Sequence, residues 1–309
     1  MLKNILSYFT LPLLLLLSNS APRVVLGAPE AFNPGPDIIA GNMEGLYVDG
    51  ITGTQHGLAI GVTSCNTGNT VVNFFAMPGT NHPAIAQNLY RMSGGAGNTD
   101  RFEQVGQAWV KHTYGAKQAD SCSFGCQPGG DFNHLGVGCS DTYYNFQSAV
   151  QADLGSRAWI NPFTGVFQSN ARNHAGHSHS AVSHMIVVEN SDLDPAMNPG
   201  ASYYAELLYV TPDEYAWCQI HPGECNMYNN SSYRRYTVVG TTNYFFSEDD
   251  PAVRMAPPVD AWTGATINPI EPAPGIDGRA LIAYKVTGPV AGVWHYEYAI
   301  YNQNLDRAI

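Results

Sequence analysis

The sequence predicts an all-β fold: an antiparallel β-sandwich decorated by long loops, with little helix. Three observations predict it. Short segments alternate apolar and polar residues at period two, the signature of a half-buried strand. Glycine- and proline-rich turns separate them, with 31 Gly and 20 Pro in 309 residues. Few stretches keep apolar residues at helical three-and-four spacing without a Gly or Pro breaking them.

The strands are expected in this order. "GLAIGVTSC" and "TVVNFFAM" read as a hairpin joined by "NTGN". "HPAIAQNLYRM" and "RFEQVGQAWVKH" flank the loop "SGGAGNTD". In the second of these, Phe102, Gln104, Ala108, Val110 and His112 are assigned to one face, and Val105, Gln107, Trp109 and Lys111 to the other. "SHMIVVEN", "SYYAELLYVT", "YRRYTVVGT", "RALIAYKVTG" and "VWHYEYAIYN" follow. In the last, Trp294, Tyr296, Tyr298 and Ile300 form one apolar face. His295, Glu297, Ala299 and Tyr301 form the other, so a half-buried antiparallel strand with a polar outer or cleft side is expected. A short helix is expected at "TPDEYAW", where Thr211 caps and Pro212 takes the first helical position. The proline-rich stretch 256–278 reads as a long loop or covering flap. The segment 115–181 has little alternation, and long irregular segments in compact domains are often functional.

The N-terminal "MLKNILSYFTLPLLLLLSNSAPRVVLGA" has a charged Lys3, an apolar core from Ile5 to Leu17 and then small residues. That core is shorter than the ~20 apolar residues a membrane span needs. It reads as a cleaved secretory signal over residues 1–28, cut somewhere in 20–28, leaving one secreted β-rich domain over 29–309. No later segment reads as a membrane span. A net charge of −11, with only 14 Lys and Arg, argues against a nucleic-acid partner, which needs clustered cations. All six cysteines, Cys65, Cys122, Cys126, Cys139, Cys218 and Cys225, lie in the exported part. An even count in an oxidising compartment predicts disulfides over a thiolate metal site. Cys218 and Cys225 bracket a pinched loop; Cys139 has Cys122 or Cys126 as candidate partner. Phosphate-binding glycine loops, GxSxG, HExxH and CxxCH are absent.

"HPAIAQNLYRM", "RFEQVGQAWVKH", "HLGVGCSDTYYNFQ", a "DLDPAMN" segment and the closing "WHYEYAIYNQNLDR" together resemble a family of uncharacterised secreted proteins of environmental bacteria. The resemblance covers most of the mature chain and implies no activity. This chain departs from the pattern at Thr142, where the family has proline, and in its histidine cluster. Members tend to continue past the closing Asp-Arg, so a stop at Ile309 points to a truncated C-terminus.

Three chemistries are candidates. "NHAGHSHSAVSH" places His174, His177, His179 and His184 within twelve residues. Residues two apart on a strand point the same way, so His177 and His179 can share one ion, with His174, His184, His112 or His134 as a further ligand. Neutral imidazoles suit copper or zinc. This gives the leading expectation: a secreted metal-dependent enzyme, an oxidoreductase or hydrolase, acting on an extracellular polymer or a small aromatic molecule. The bland alternative is a solvated His/Ser-rich loop. Second, His82, His112, Cys139 and Asp141 sit in the family phrases at strand ends, with Asp141 expected to be exposed beside a disulfide. His112, Asp141 and Tyr143 are the catalytic candidates. Third, Tyr143, Tyr144, Tyr203, Tyr204, Tyr296, Tyr298, Glu297 and Asp306 could serve a metal-independent polysaccharide lyase that uses Tyr and His. Alternatively the aromatics stack on sugars in a non-catalytic, glycan-binding surface module, while ordinary cross-strand packing is the bland alternative.

Overall fold

β1 (Ile38–Thr52) and β2 (Gln55–Asn66) form the hairpin that starts the described chain. The computed structural model describes residues 32–76, 78–112, 115–150, 155–171 and 179–306. The expected signal segment, His174, His177 and the C-terminal stop therefore lie outside the described residues. Then come β3 (Val72–Asn73), β4 (Ala84–Met92), β5 (Phe102–Gln107), β6 (Lys111–His112), β7 (His134–Leu135) and β8 (Ser140–Tyr143). Helix α1 (Asn145–Val150), β9 (Ile186–Glu189), α2 (Asn190–Leu193), β10 (Ser202–Val210), α3 (Pro212–Ile220), β11 (Ser231–Val239) and β12 (Phe245–Glu248) follow. The chain ends in β13 (Thr266–Ile270), β14 (Ala280–Val290) and β15 (Val293–Asn302).

The fold is all-β and antiparallel, as the alternation predicts. The main sheet runs β1-β2-β9-β5-β4-β10-β11-β12, with β6 on β4 and β8 on β2. The main sheet curls on itself. Three register shifts along β1 bend it, and each bulge adds local twist. The bent β1 packs against β10, β11 and β12, so the sheet is nearly closed and barrel-like. Side chains stitch the seam: Glu248 accepts from the Gly45 N–H (3.1 Å), and Arg254 donates to the Gly41 carbonyl (2.5 Å). Ile60, Leu89, Leu207, Tyr209 and Tyr236 fill the interior.

β13–β15 form a separate three-stranded sheet. It lies on the outside of the barrel, where Leu281, Ala283, Ala299 and Tyr301 meet Tyr90, Phe102 and Tyr204. Trp262, buried in the same cluster, anchors the proline-rich stretch as a covering flap that carries β13. The helix at "TPDEYAW" forms as α3: Thr211 accepts from the Asp213 N–H and Pro212 opens the first turn.

Two strand expectations fail for local reasons. "TVVNFFAM" does not pair with β2. Only Val72 and Asn73 are extended, and they pair with β7. The Asn66 amide donates to the carbonyls of Thr70 (2.8 Å), Leu135 (3.1 Å) and Gly136 (3.2 Å), which turns the chain toward β7. In "RFEQVGQAWVKH", Val105 is bulged out between Gln104 and Gly106. The bulge reverses the parity, so Ala108 points into the barrel while Phe102 packs outside it.

The cysteines pair as Cys65–Cys122, Cys126–Cys139 and Cys218–Cys225. The last closes the pinched loop, and Cys139 takes Cys126. Gly41 lies directly against the Cys65–Cys122 bridge. A Cβ there would run into both sulfurs, so the bridge needs glycine at that point of β1. Among the described residues no helix is long and apolar enough to cross a membrane.

Candidate functional site: an aromatic sheet face and the polar cleft beside it

β15 is the edge strand of the outer sheet. Its alternation is real, but its sides are opposite to expectation. Ala299 and Tyr301 point down onto the barrel and are buried. Trp294, Tyr296, Tyr298 and Ile300 point to solvent, at 50%, 52%, 62% and 58% exposure. The reason lies beneath the strand. Ala283 and Ala299 are small enough to sit close over Tyr90, Phe102 and Trp262, and Tyr301 gives its hydroxyl to a buried carboxylate. The bulky side chains are left outside. On the same outer face Ile282, Tyr284 and Val286 of β14 stand opposite Ile300, Tyr298 and Tyr296. The Tyr296 and Tyr298 rings lie 6.5 Å apart and 5° from parallel, and Tyr284 is 6.3 Å from Tyr298. A continuous exposed apolar face of this kind marks an interaction surface.

The end of β15 borders a cleft of about 740 Å³, between the outer faces of β4, β5 and β10 and the segment Arg157–Pro162. That is within the usual size of ligand sites. Its base is a hydrogen-bonded knot around Glu206, which is fully buried. One carboxylate oxygen accepts from Asn88 (2.8 Å) and Tyr90 (2.9 Å); the other accepts from Ser231 (2.6 Å) and Tyr301. Burial, then the Glu206 charge, pushes both tyrosine hydroxyls well above their usual range, so they remain donors. The Asn88 carbonyl oxygen accepts from Gln104 (3.1 Å) and Arg157 (2.7 Å). Arg157 also donates to the carbonyls of Ala108 and Gln87, each at 2.9 Å. Burial lowers its pKa.

A charged belt runs along the neighbouring surface. Arg91 pairs with Glu103 (2.6 Å) and Asp192 (2.9 Å); Glu297 pairs with Arg101 (3.5 Å) and His295 (2.9 Å). Belt and knot thus draw together residues of "QNLYR", "RFEQ", "DLDP" and "HYEYAIYNQN", four phrases that stand far apart in sequence.

Two of the predicted catalytic trio, Asp141 and Tyr143, are buried. Asp141 is buried, at 1% exposure, and not exposed beside the Cys126–Cys139 bridge as expected. Its strand pairs with β2, which carries the carboxylate inward. One oxygen accepts from the Lys117 N–H (3.0 Å), and desolvation raises its pKa to about 6. Tyr143, two residues on, belongs to the barrel core. His112 pairs by its backbone with Ala84 in β6. His82 is buried edge-on to Phe74.

The histidine cluster is described only in part. His179 and His184 lie with ring centroids 4.7 Å apart, and Trp109 stacks on His184 at 4.3 Å. His184 has left-handed backbone, φ 72°, an uncommon conformation outside glycine. The buried ammonium of Lys111 donates to the His184 carbonyl (2.6 Å), and desolvation lowers its pKa to about 7. His134 pairs instead with Asp131 (2.7 Å). Among the described residues no group of three or more His, Cys, Asp or Glu is placed to hold a metal ion.

Tyr296 and Tyr298 were legible as candidates. Glu206, Asn88, Arg157 and Tyr301 were not. Glu206 did leave a signal: it is the single acid in "SYYAELLYV", an otherwise charge-free strand, and such a residue is buried only with partners. The chain matches no protein-family model, no curated protein and no solved structure, so the site stands on its own geometry.

Proposed function

We propose that this protein is a non-catalytic, glycan-binding β module of an exported protein, and that an extracellular polysaccharide lies along the outer face of β14 and β15. The observation that carries this is the row Trp294, Tyr296, Tyr298: three large rings on one edge strand, half or more exposed, two of them nearly parallel. Such rings offer flat apolar faces to the flat apolar faces of sugar rings at little conformational cost, because the strand already fixes them. The three disulfides fit the oxidising compartment that this reading requires. Tyr203 and Tyr204 are less favoured as a lyase base. Burial pushes Tyr203 up to about 12 and raises Tyr204.

With about 1 kcal/mol per stacked ring, each of Trp294→Ala, Tyr296→Ala and Tyr298→Ala is expected to weaken binding about fivefold, and the triple variant about a hundredfold. The test is calorimetric titration with soluble polysaccharide fragments, with thermal melts as a control. The melts should hardly move, because these side chains face solvent. A triple variant that binds as tightly as the parent would sink the reading.

A copper or zinc site remains a second reading, favoured by the contact between His179 and His184. With His174 and His177 it would form the expected ligand set. Elemental analysis of untagged, dialysed protein should then find about one ion per chain, lost in His179→Ala/His184→Ala. Sub-stoichiometric metal after loading would make the stretch a polar loop.

A further inference from the structure

We infer that the cleft at the end of β15 is an acidic-sugar subsite, in which Arg157 receives the carboxylate of a uronic acid unit while the adjoining units of the same chain stack on Tyr298, Tyr296 and Trp294. This deepens the glycan-binding reading and rests on it.

The strip and the cleft are one continuous surface. Tyr298 and Ile300 belong to the exposed face of β15 and also line the cleft. A chain laid along the rings toward Ile300 therefore runs into the cleft mouth. The cleft wall is polar in the manner that sugar hydroxyls require: Gln104 and Gln107 are exposed there. Among the described residues Gln107 spends its amide on no hydrogen bond.

The charge points to the sugar class. Arg157 is held by three neutral oxygens, from Ala108, Gln87 and Asn88. No carboxylate of the described residues lies within ion-pair distance of it, and Nη1 is committed to no described residue. Glu206, the acid at the cleft base, already accepts four donors. It is the anchor that positions Asn88, and through it Arg157; its charge favours the guanidinium from beyond ion-pair distance, but its acceptor positions are filled. A guanidinium out of bulk water, fixed in orientation and hydrogen-bonded only to neutral oxygens, is a site for a planar carboxylate from outside. In a chain of net charge −11 with only 14 Lys and Arg, a cation placed in this cleft is a specific feature rather than a general basic field.

The test compares an unbranched oligouronate with its carboxyl-reduced counterpart, the same sugars without the charge, by calorimetry on the exported chain. A hydrogen bond to a charged group is among the stronger ones, so the parent is expected to bind the oligouronate at least tenfold tighter. Arg157→Gln should bring the two ligands to the same affinity. Trp294→Ala should weaken both equally. Because Arg157 also ties the Ala108 and Gln87 carbonyls, its variant can fail to fold. The parent comparison does not depend on it, and Gln107→Ala, expected to weaken both ligands about threefold, probes the cleft with an exposed residue. Equal binding of the two ligands by the parent overturns the subsite and leaves the glycan reading standing. Binding of neither overturns both. If an extended peptide occupies the cleft and no sugar does, strand addition to the open edge of β15 replaces the inference.

Discussion

Glu206→Ala is expected to lose about 4 kcal/mol or more of unfolding free energy. The carboxylate joins β4, β10, β11 and β15 through Asn88, Tyr90, Ser231 and Tyr301. Removing it strands four donors where water does not reach, and each stranded donor costs about 1–3 kcal/mol. Partial relaxation keeps the total below the simple sum. A domain has about 5–15 kcal/mol in all, so the variant is expected to be marginal. Glu206→Gln should also destabilise, because its amide nitrogen would face two donors. Tyr301→Phe removes one donor and should cost only about 1 kcal/mol. The effects are expected to be strongly non-additive, since all four partners share one acceptor group. Urea unfolding with the disulfides intact measures this. A loss below about 1 kcal/mol for Glu206→Ala would mean that the knot does not hold the outer sheet to the barrel. The same anchor orients the proposed binding face: Tyr301 fixes the phase of β15, and that phase keeps Trp294, Tyr296 and Tyr298 in solvent.

How much was legible follows from which forces act locally. Strand alternation and the Thr211-Pro212 helix start depend on neighbours in sequence, and both are realised. The Val105 bulge was invisible, because it is decided by the partner strand β4. The side of β15 was misjudged for the same reason. Period two shows that Trp294, Tyr296, Tyr298 and Ile300 share a face, but not which face is buried. That was settled by small Ala283 and Ala299 and by the pull of Glu206 on Tyr301, none of which lies in the alternation itself. The barrel closure depends on bulges in β1 meeting strands nearly two hundred residues away. The cleft is likewise non-local: residues 88, 90, 157 and 301 line it, and the buried Glu206 lies beneath them. The recurring phrases that looked like separate motifs in the sequence are neighbours in the fold. They make one belt and one knot.

Stability is expected to pass through a minimum near pH 6–7, set by two buried groups whose pKa values move toward each other. Asp141 has a native pKa of about 6 against 3.8 unfolded, from desolvation. Between those values the native state holds more protons than the unfolded state, so stability falls as pH rises through the window, then stays level. Two units correspond to about 3 kcal/mol. Burial raises Asp37 and Glu214 as well, and they act in the same direction. Lys111 is the mirror case, with a native pKa of about 7 against 10.5 unfolded. There the unfolded state holds more protons, so stability rises with pH from about 7 upward, and the full penalty applies below 7. Urea unfolding at fixed ionic strength from pH 4 to pH 9.5 tests the curve. Asp141→Asn keeps an oxygen for the Lys117 N–H and removes the charge. It should gain up to about 3 kcal/mol at pH 7 and nothing at pH 4 or below. Lys111→Met should flatten the alkaline limb while leaving the acid limb unchanged. A gain for Asp141→Asn that is the same at pH 4 and pH 7 would show that packing, and not the buried charge, limits stability at this position.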